Sequence, residues 1–269
     1  MSQLFTVKIP AVAGYPGGGL LVTEPAPAVY LLTISYAPDN RLVAPVCSAL
    51  LEALDILEAR YPIGVVITTS GIPKFYSNGL DLKHTVEFDR REFLAKHLFR
   101  LWLRLLSYPM PTIALIPGHA FAGGFMTAMF HDYRVMNPGR GFLCLNELDF
   151  GVALQPQMTA IFREKLSPVA LRTVALEAKR VSGPEALAMG IVDVLGGINE
   201  AMELITSRQL LEKGKTGIYG LMKREMYRQT ADMLTLEGYD REVMRTKKIQ
   251  EETEKEYGAR GMRAPKSRL

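Results

Sequence analysis

Thr112-Ile113-Ala114-Leu115-Ile116-Pro117-Gly118-His119-Ala120-Phe121-Ala122-Gly123-Gly124-Phe125-Met126 is the stretch on which the fold turns. Its first five residues are apolar or β-branched, as in a strand buried on both faces of a sheet, and Pro117-Gly118 ends that strand. The small residues that follow suit the start of a helix packed closely on a sheet. Working outward, Gly64–Thr69 is a second short β-branched run. Residues 29–35 (VYLLTIS) form a third before the turn Ala37-Pro38-Asp39-Asn40, and Gly19–Thr23 is a candidate partner for them. Between these runs, Val46, Leu50, Ala53, Leu54 and Leu57 recur at helical spacing within 43–60, and a second helix is predicted over about 90–107, stopped by Pro109 and Pro111. Strand, helix, strand, helix, strand in this order predicts an α/β architecture with mainly parallel strands. From about Gln157 helical composition dominates, in segments 157–177, 183–189, 198–213, 216–234 and 239–257.

The chain has 269 residues, 48% hydrophobic and 22% charged, which suits one large core with an attached helical part and argues against disorder. No apolar run approaches the roughly 18 residues that span a bilayer, and MSQLFTVKIP lacks the layout of a secretory signal, so membrane insertion is not expected. Cys47 and Cys144 are too few for a disulfide framework or a structural zinc site, which fits a reducing or redox-neutral compartment. The net charge of +4 is concentrated in residues 207–269, where 15 Lys and Arg face 10 Asp and Glu. Acids interleave throughout, as on a solvated helix face, so nucleic acid is not the expected partner.

Three segments can carry chemistry. In Ser77-Asn78-Gly79-Leu80-Asp81-Leu82, Gly79 lets the chain turn so that the Leu80 amide can face a pocket; an ordinary loop is the competing reading. In 118–126, the Gly/Ala start of a helix leaves unpaired amides and room for a ligand, against plain helix–sheet packing. In Cys144-Leu145-Asn146-Glu147-Leu148-Asp149-Phe150-Gly151-Val152, a half-buried glutamate would have a raised proton affinity and could act as acid or base near neutral pH; a surface glutamate is the alternative. Gly17-Gly18-Gly19 reads as a flexible turn. His84, His97, His119 and His131 show no metal-ligand spacing, and no GxGxxG, GxxxxGK[ST] or GxSxG motif is present.

Taken together and in order, SNGLDL (77–82), PGHAFAGG (117–124), LNELDFGV (145–152) and RVSGPEALAMGIVD (180–193) resemble the crotonase superfamily of enoyl-CoA hydratases and isomerases. The resemblance covers roughly residues 28–195. It implies a crotonase-like spiral of ββα units over 1–195, a helical oligomerisation region over 196–258 that builds trimers, sometimes hexamers, and a tail over 259–269. It also implies an acyl-CoA thioester as substrate, coenzyme A entering with it, and no separate cofactor or metal. The two backbone amides that hold the thioester oxygen map onto Leu80 and Gly123, and the acidic residue of the later segment maps onto Glu147. Ser77, Asn78, Gly79, Asp81, Leu82, Lys83, Phe125 and Met126 fall at positions expected to line the substrate.

Hydratases of the superfamily carry a second acid where this chain has Met126, and a thioether cannot orient water as a base. Dienoyl-CoA isomerases resemble one another in further acids, at the Met126 position and near Gln155, and neither is acidic here. The pattern therefore resembles the peroxisomal delta-3 to delta-2 enoyl-CoA isomerases, with Glu147 expected as the lone proton shuttle, enclosed by Leu145, Leu148 and Phe150. Lys83, and with it Lys247 and Lys248, are candidates for the nucleotide phosphates. Ser267-Arg268-Leu269 is similar to the peroxisomal C-terminal tripeptide Ser-Lys-Leu, an address read by an import receptor. The alternatives are a hydratase or other acyl-CoA enzyme of the same fold, and a catalytically silent binding or RNA-interacting subunit.

Overall fold

Alternate residues of the central strands face two different cores, and that period of two organises the molecule. The computed structural model describes residues 2–87 and 89–260. Its strands are β1 (Ser2–Ile9), β2 (Gly18–Ala26), β3 (Val29–Tyr36), β4 (Val65–Ser70), β5 (Phe75–Ser77), β6 (Thr112–Ile116), β7 (His119–Phe121), β8 (Tyr133–Met136), β9 (Leu143–Cys144) and β10 (Val194–Leu195). The larger sheet has the order β1-β2-β3-β4-β6-β8-β10. β1, β2 and β3 pair antiparallel, and every pairing from β3 to β10 is parallel.

On one face Tyr30, Leu32, Ile34, Val66, Ala114, Ile116 and Met136 join the main core with residues of α1 (Ala44–Arg60) and, after the short α2 (Leu82–Glu87), of α3 (Phe99–Leu106), α4 (Gly123–Met129) and α5 (Pro156–Lys165). On the other, Val29, Leu31, Val65, Ile67, Ile113, Leu115 and Val135 form a second cluster. After α6 (Pro168–Leu176) and α7 (Gly183–Ala188), it is α8 (Ile198–Ser207) and α9 (Leu210–Gly214) that close this second face through Ala201, Leu204, Ile205 and Leu210. Residues beyond 196 thus share a core with those before it. The described residues end in α10 (Tyr219–Met226), α11 (Arg228–Met233) and α12 (Leu236–Ala259).

The smaller sheet, β5-β7-β9, is parallel throughout, and its strands have only two or three residues each. This arrangement is the α/β crotonase-type spiral expected from the sequence.

Several expectations are corrected. Gly18 and Gly19 lie inside β2, where a β-carbon on Gly18 would meet the Ser35 carbonyl oxygen at 2.1 Å, so this glycine serves close strand packing and not a flexible turn. The helix expected over 90–107 is π-helical over Glu92–Leu98 before α3 continues it as an α-helix. The segment 157–177 breaks at Ser167-Pro168, and 198–213 at Gln209, whose φ is 53°. The tripeptide Ser267-Arg268-Leu269 lies outside the described residues. No described helix is long and apolar enough to cross a membrane.

Candidate active site

Each of the three short parallel strands releases one chemically interesting group just past its C-terminal end: Leu80 after β5, Gly123 after β7 and Glu147 after β9. Parallel pairing puts these three exits on one side of the small sheet. The first two are in direct contact. Gly79 has φ 79°, and a β-carbon there would meet the Phe121 carbonyl oxygen at 2.6 Å and both the Ala122 β-carbon and the Gly123 nitrogen at 3.0 Å. A β-carbon on Gly123 would in turn meet Leu80 Cδ1 at 2.7 Å, and one on Gly124 the Ser77 carbonyl oxygen at 2.3 Å. The two turns fit together only because these three positions carry no side chain.

Both amides are available. The Leu42 amide donates to the Gly79 carbonyl oxygen (2.9 Å), whereas the Leu80 amide donates to no acceptor among the described residues. Gly123 opens α4, where an amide has no intrahelical acceptor. Its direction is set by Ala122, held at φ 48°, ψ −122°. A residue with a β-carbon pays about 1–3 kcal/mol for such a conformation. Flanking bonds enforce it: the Ala122 amide donates to the Cys144 carbonyl oxygen (2.8 Å), and the Met126 amide to the Ala122 carbonyl oxygen (3.0 Å).

Glu147 sits in a tight turn whose carbonyl oxygen accepts the Val152 amide at 2.9 Å, with Gly151 at φ 65°. Its Oε2 is buried and has no hydrogen-bond partner among the described residues. Burial pushes the carboxyl up to about 7, against a smaller opposing effect of its own backbone hydrogen bond. The enclosure differs from expectation: Leu145 is buried, but Leu148 and Phe150 are 55% and 61% exposed. The turn points them outward, so other groups exclude water from Glu147. In the same stretch, Gln155 Oε1 and both polar atoms of the buried Gln157 are also unpartnered. The sequence reading weighed Gln155 only as a position lacking an acid and Gln157 only as the start of a helix. Two carboxamides flanking Pro156 beside an apolar run were the available signal.

The other expected substrate-lining residues sort differently. Phe125 and Met126 are fully enclosed in the core, with the Phe125 ring edge-on to Phe162 at 5.0 Å, so neither presents surface to a ligand. Ser77, Asn78 and Asp81 build the loop: Ser77 Oγ donates to the Asn40 carbonyl oxygen (2.7 Å), Asn78 Nδ2 to Asp39 Oδ2 (2.6 Å), and Asp81 accepts the Tyr15 hydroxyl (2.6 Å) and the His84 amide (2.8 Å). Leu82 is the first residue of α2, and Lys83, on the same helix, is exposed. Lys247 and Lys248 lie on α12 facing Glu251 and Glu252 one turn on, at 4.0 and 3.9 Å, as a solvated face would.

The missed scaffold is Asp39–Leu42. Buried Asn40, at φ 51°, accepts the Tyr36 amide and donates to Ser70 Oγ and to the Ile34 and Tyr76 carbonyl oxygens, tying β3, β4 and β5 together. Arg41 donates to the Leu80 carbonyl oxygen at 3.0 Å. An Asn closing a turn was visible in the sequence; its long-range partners were not. Among the described residues no cluster of metal-ligating side chains occurs. His131 is instead a buried structural group between Thr68 and the Thr127 carbonyl oxygen, its pKa lowered to about 3 by burial.

The sequence profile of the enoyl-CoA hydratase/isomerase family matches residues 25–265. The chain belongs to that family. Among relatives of this family member, "Enoyl-CoA delta isomerase 3" of Arabidopsis thaliana is 31% identical over 219 residues, covering 77% of this chain and 92% of the relative. "Enoyl-CoA delta isomerase 1, peroxisomal" of the same plant is 33% identical over 209 residues, covering 75% and 87%. A probable enoyl-CoA hydratase from Mycobacterium tuberculosis superposes with a TM-score of 0.73 at 22% identity, covering 86% of this chain and 98% of that one, which speaks for the fold. The family relation makes the chain an enzyme of the hydratase/isomerase type.

Proposed function

We propose that this family member is a delta-3 to delta-2 enoyl-CoA isomerase. The observation that carries the reading is an enclosed carboxyl with an unpartnered oxygen, at Glu147; at the position where the sequence resemblance implies a hydratase's second acid, the chain has Met126, an apolar side chain turned into the core. The names of the Arabidopsis relatives support it.

In the proposed reaction the Glu147 carboxylate takes a proton from C2 of a 3-enoyl-CoA. The electron pair delocalises onto the thioester oxygen, giving a dienolate held by the Leu80 and Gly123 amides, donors that are in place before charge develops. The carboxylic acid then delivers the proton to C4, which leaves the double bond at C2=C3 and Glu147 ionised again. The proton and electron pair balance within the substrate, so the reaction as proposed calls on no metal or cofactor. Coenzyme A enters as part of the substrate, with Lys83 near its nucleotide end.

The base must be ionised to start. With the Glu147 carboxyl at about 7, kcat/KM should rise with pH below that value and level off above it, a limb readable from initial rates between pH 5 and 9. The deciding experiment supplies 3-hexenoyl-CoA and 2-hexenoyl-CoA separately. Conversion of the first to the second without 3-hydroxyhexanoyl-CoA supports the isomerase; formation of the hydroxy product would make the chain a hydratase.

Two further assignments belong to the same reading. Exposed Ile218, Leu221, Met222 and Met226 on and beside α10 are apolar surface suited to burial in a homotrimer or homohexamer. Ser267-Arg268-Leu269 would direct the chain through the peroxisomal import receptor to unsaturated-fatty-acid β-oxidation; a tagged chain still imported after loss of this tripeptide would refute the address.

A further inference from the structure

The Gly123 amide is only as well aimed as the first turn of α4, and that turn starts from a strained Ala122. A second brace reaches it from the core side. Thr127 Oγ1 donates to the Gly123 carbonyl oxygen at 2.8 Å and accepts the indole Nε1–H of Trp102 at 2.9 Å. Trp102 itself is fully buried, stacked on Phe130 at 4.8 Å with 17° between the rings and in contact with Phe99 at 5.4 Å. The Thr127 backbone is fixed as well, because its carbonyl oxygen pairs with His131 Nδ1 at 2.9 Å.

We infer that Thr127, held by Trp102, is a positioning residue that fixes the Gly123 peptide so that its amide points at the developing thioester oxygen. The inference rests on the oxyanion role proposed for Gly123. Its physical basis is donor capacity: a hydroxyl has one proton to give, and the indole N–H, by occupying an oxygen lone pair, leaves that proton for the Gly123 carbonyl. With the hydroxyl gone, the flanking bonds of Ala122 remain but the Gly123 peptide loses its brace from the core side and its amide can swing, which matters most when charge appears on the substrate oxygen. Binding of the ground-state thioester should be affected less than turnover.

Trp102 is the sole tryptophan, so its emission reports on this brace. The experiment compares the parental protein with Thr127→Val, which keeps the shape, Thr127→Ser, which restores the hydroxyl, and Trp102→Phe. Each is assayed with 3-hexenoyl-CoA and, except for Trp102→Phe, titrated with saturated hexanoyl-CoA while indole emission is followed. Thr127→Val is expected to lower kcat about tenfold at near-constant KM, the scale of one lost hydrogen bond, with Thr127→Ser close to parental and Trp102→Phe between. Hexanoyl-CoA should change the emission of the parental and Ser proteins and leave the Val variant unresponsive.

Parental kcat in Thr127→Val, or an emission response equal to the parental one, overturns the inference while leaving the isomerase reading intact. A parental protein that turns over no enoyl-CoA removes the isomerase reading, and the emission titration then decides on the brace by itself. A melting temperature measured for each variant separates loss of folding from loss of alignment.

Discussion

Glu147→Gln is expected to lower kcat for 3-hexenoyl-CoA by about 10²–10⁴-fold, the range in which a positioned acid or base contributes. The substitution keeps the side chain's length and shape and removes only its ability to hold a mobile proton. Among the described residues no carboxylate is hydrogen-bonded to the buried Oε2 and placed to take over, and Met126 cannot. The same variant gives a second readout with a definite sign. Burial raises this carboxyl from 4.5 to about 7, so between those values the folded chain holds a proton that the unfolded chain has lost. The associated stability is complete below about pH 4.5 and disappears as the pH climbs through about 7. Glutamine has no such dependence. Melting temperatures should therefore favour Glu147→Gln over the parental protein more at pH 8 than at pH 4. Parental turnover in this variant would remove Glu147 from the reaction.

Gly79→Ala is expected to cost about 10²–10³-fold in kcat, comparable to removing one oxyanion donor. The position combines two constraints. Its φ of 79° is unfavourable for alanine, and a methyl group would press on the Phe121 carbonyl oxygen and on the very amide, Gly123 N, that the site needs. Relief requires the 79–80 turn and the 122–123 turn to separate, which misdirects both donors at once. Gly139→Ala is the matched control, since a β-carbon there meets nothing within 4 Å and the backbone needs no left-handed conformation. Near-parental kcat in Gly79→Ala, measured beside a normal Gly139→Ala, would refute the assignment of the paired amides.

The long buried strands β3, β4 and β6 and the helix α1 could be read from composition and period, because each is long enough to show its pattern. β5, β7 and β9 could not: two or three residues carry no periodicity, and these are the strands that bear the site. Motif order supplied what periodicity lacked, bringing Leu80, Gly123 and Glu147 forward. Its weakness showed in side-chain direction. Phe125 and Met126 sit beside Gly123 in sequence, yet face the core, and Leu148 and Phe150 sit beside Glu147, yet face water. A turn such as that at Gly151 redirects its neighbours in ways that spacing does not record. The Asn40 brace was hidden for another reason: its partners are up to 36 positions away along the chain.

The small parallel sheet has a consequence for how the protein comes into being. Leu80, Gly123 and Glu147 emerge from separate crossovers, and no local hairpin can join any two of them ahead of the rest. The site proposed above is accordingly complete only once the third strand, β9, has docked beside β7. The proposed chemistry is thereby tied to the whole sheet and to none of its strands alone.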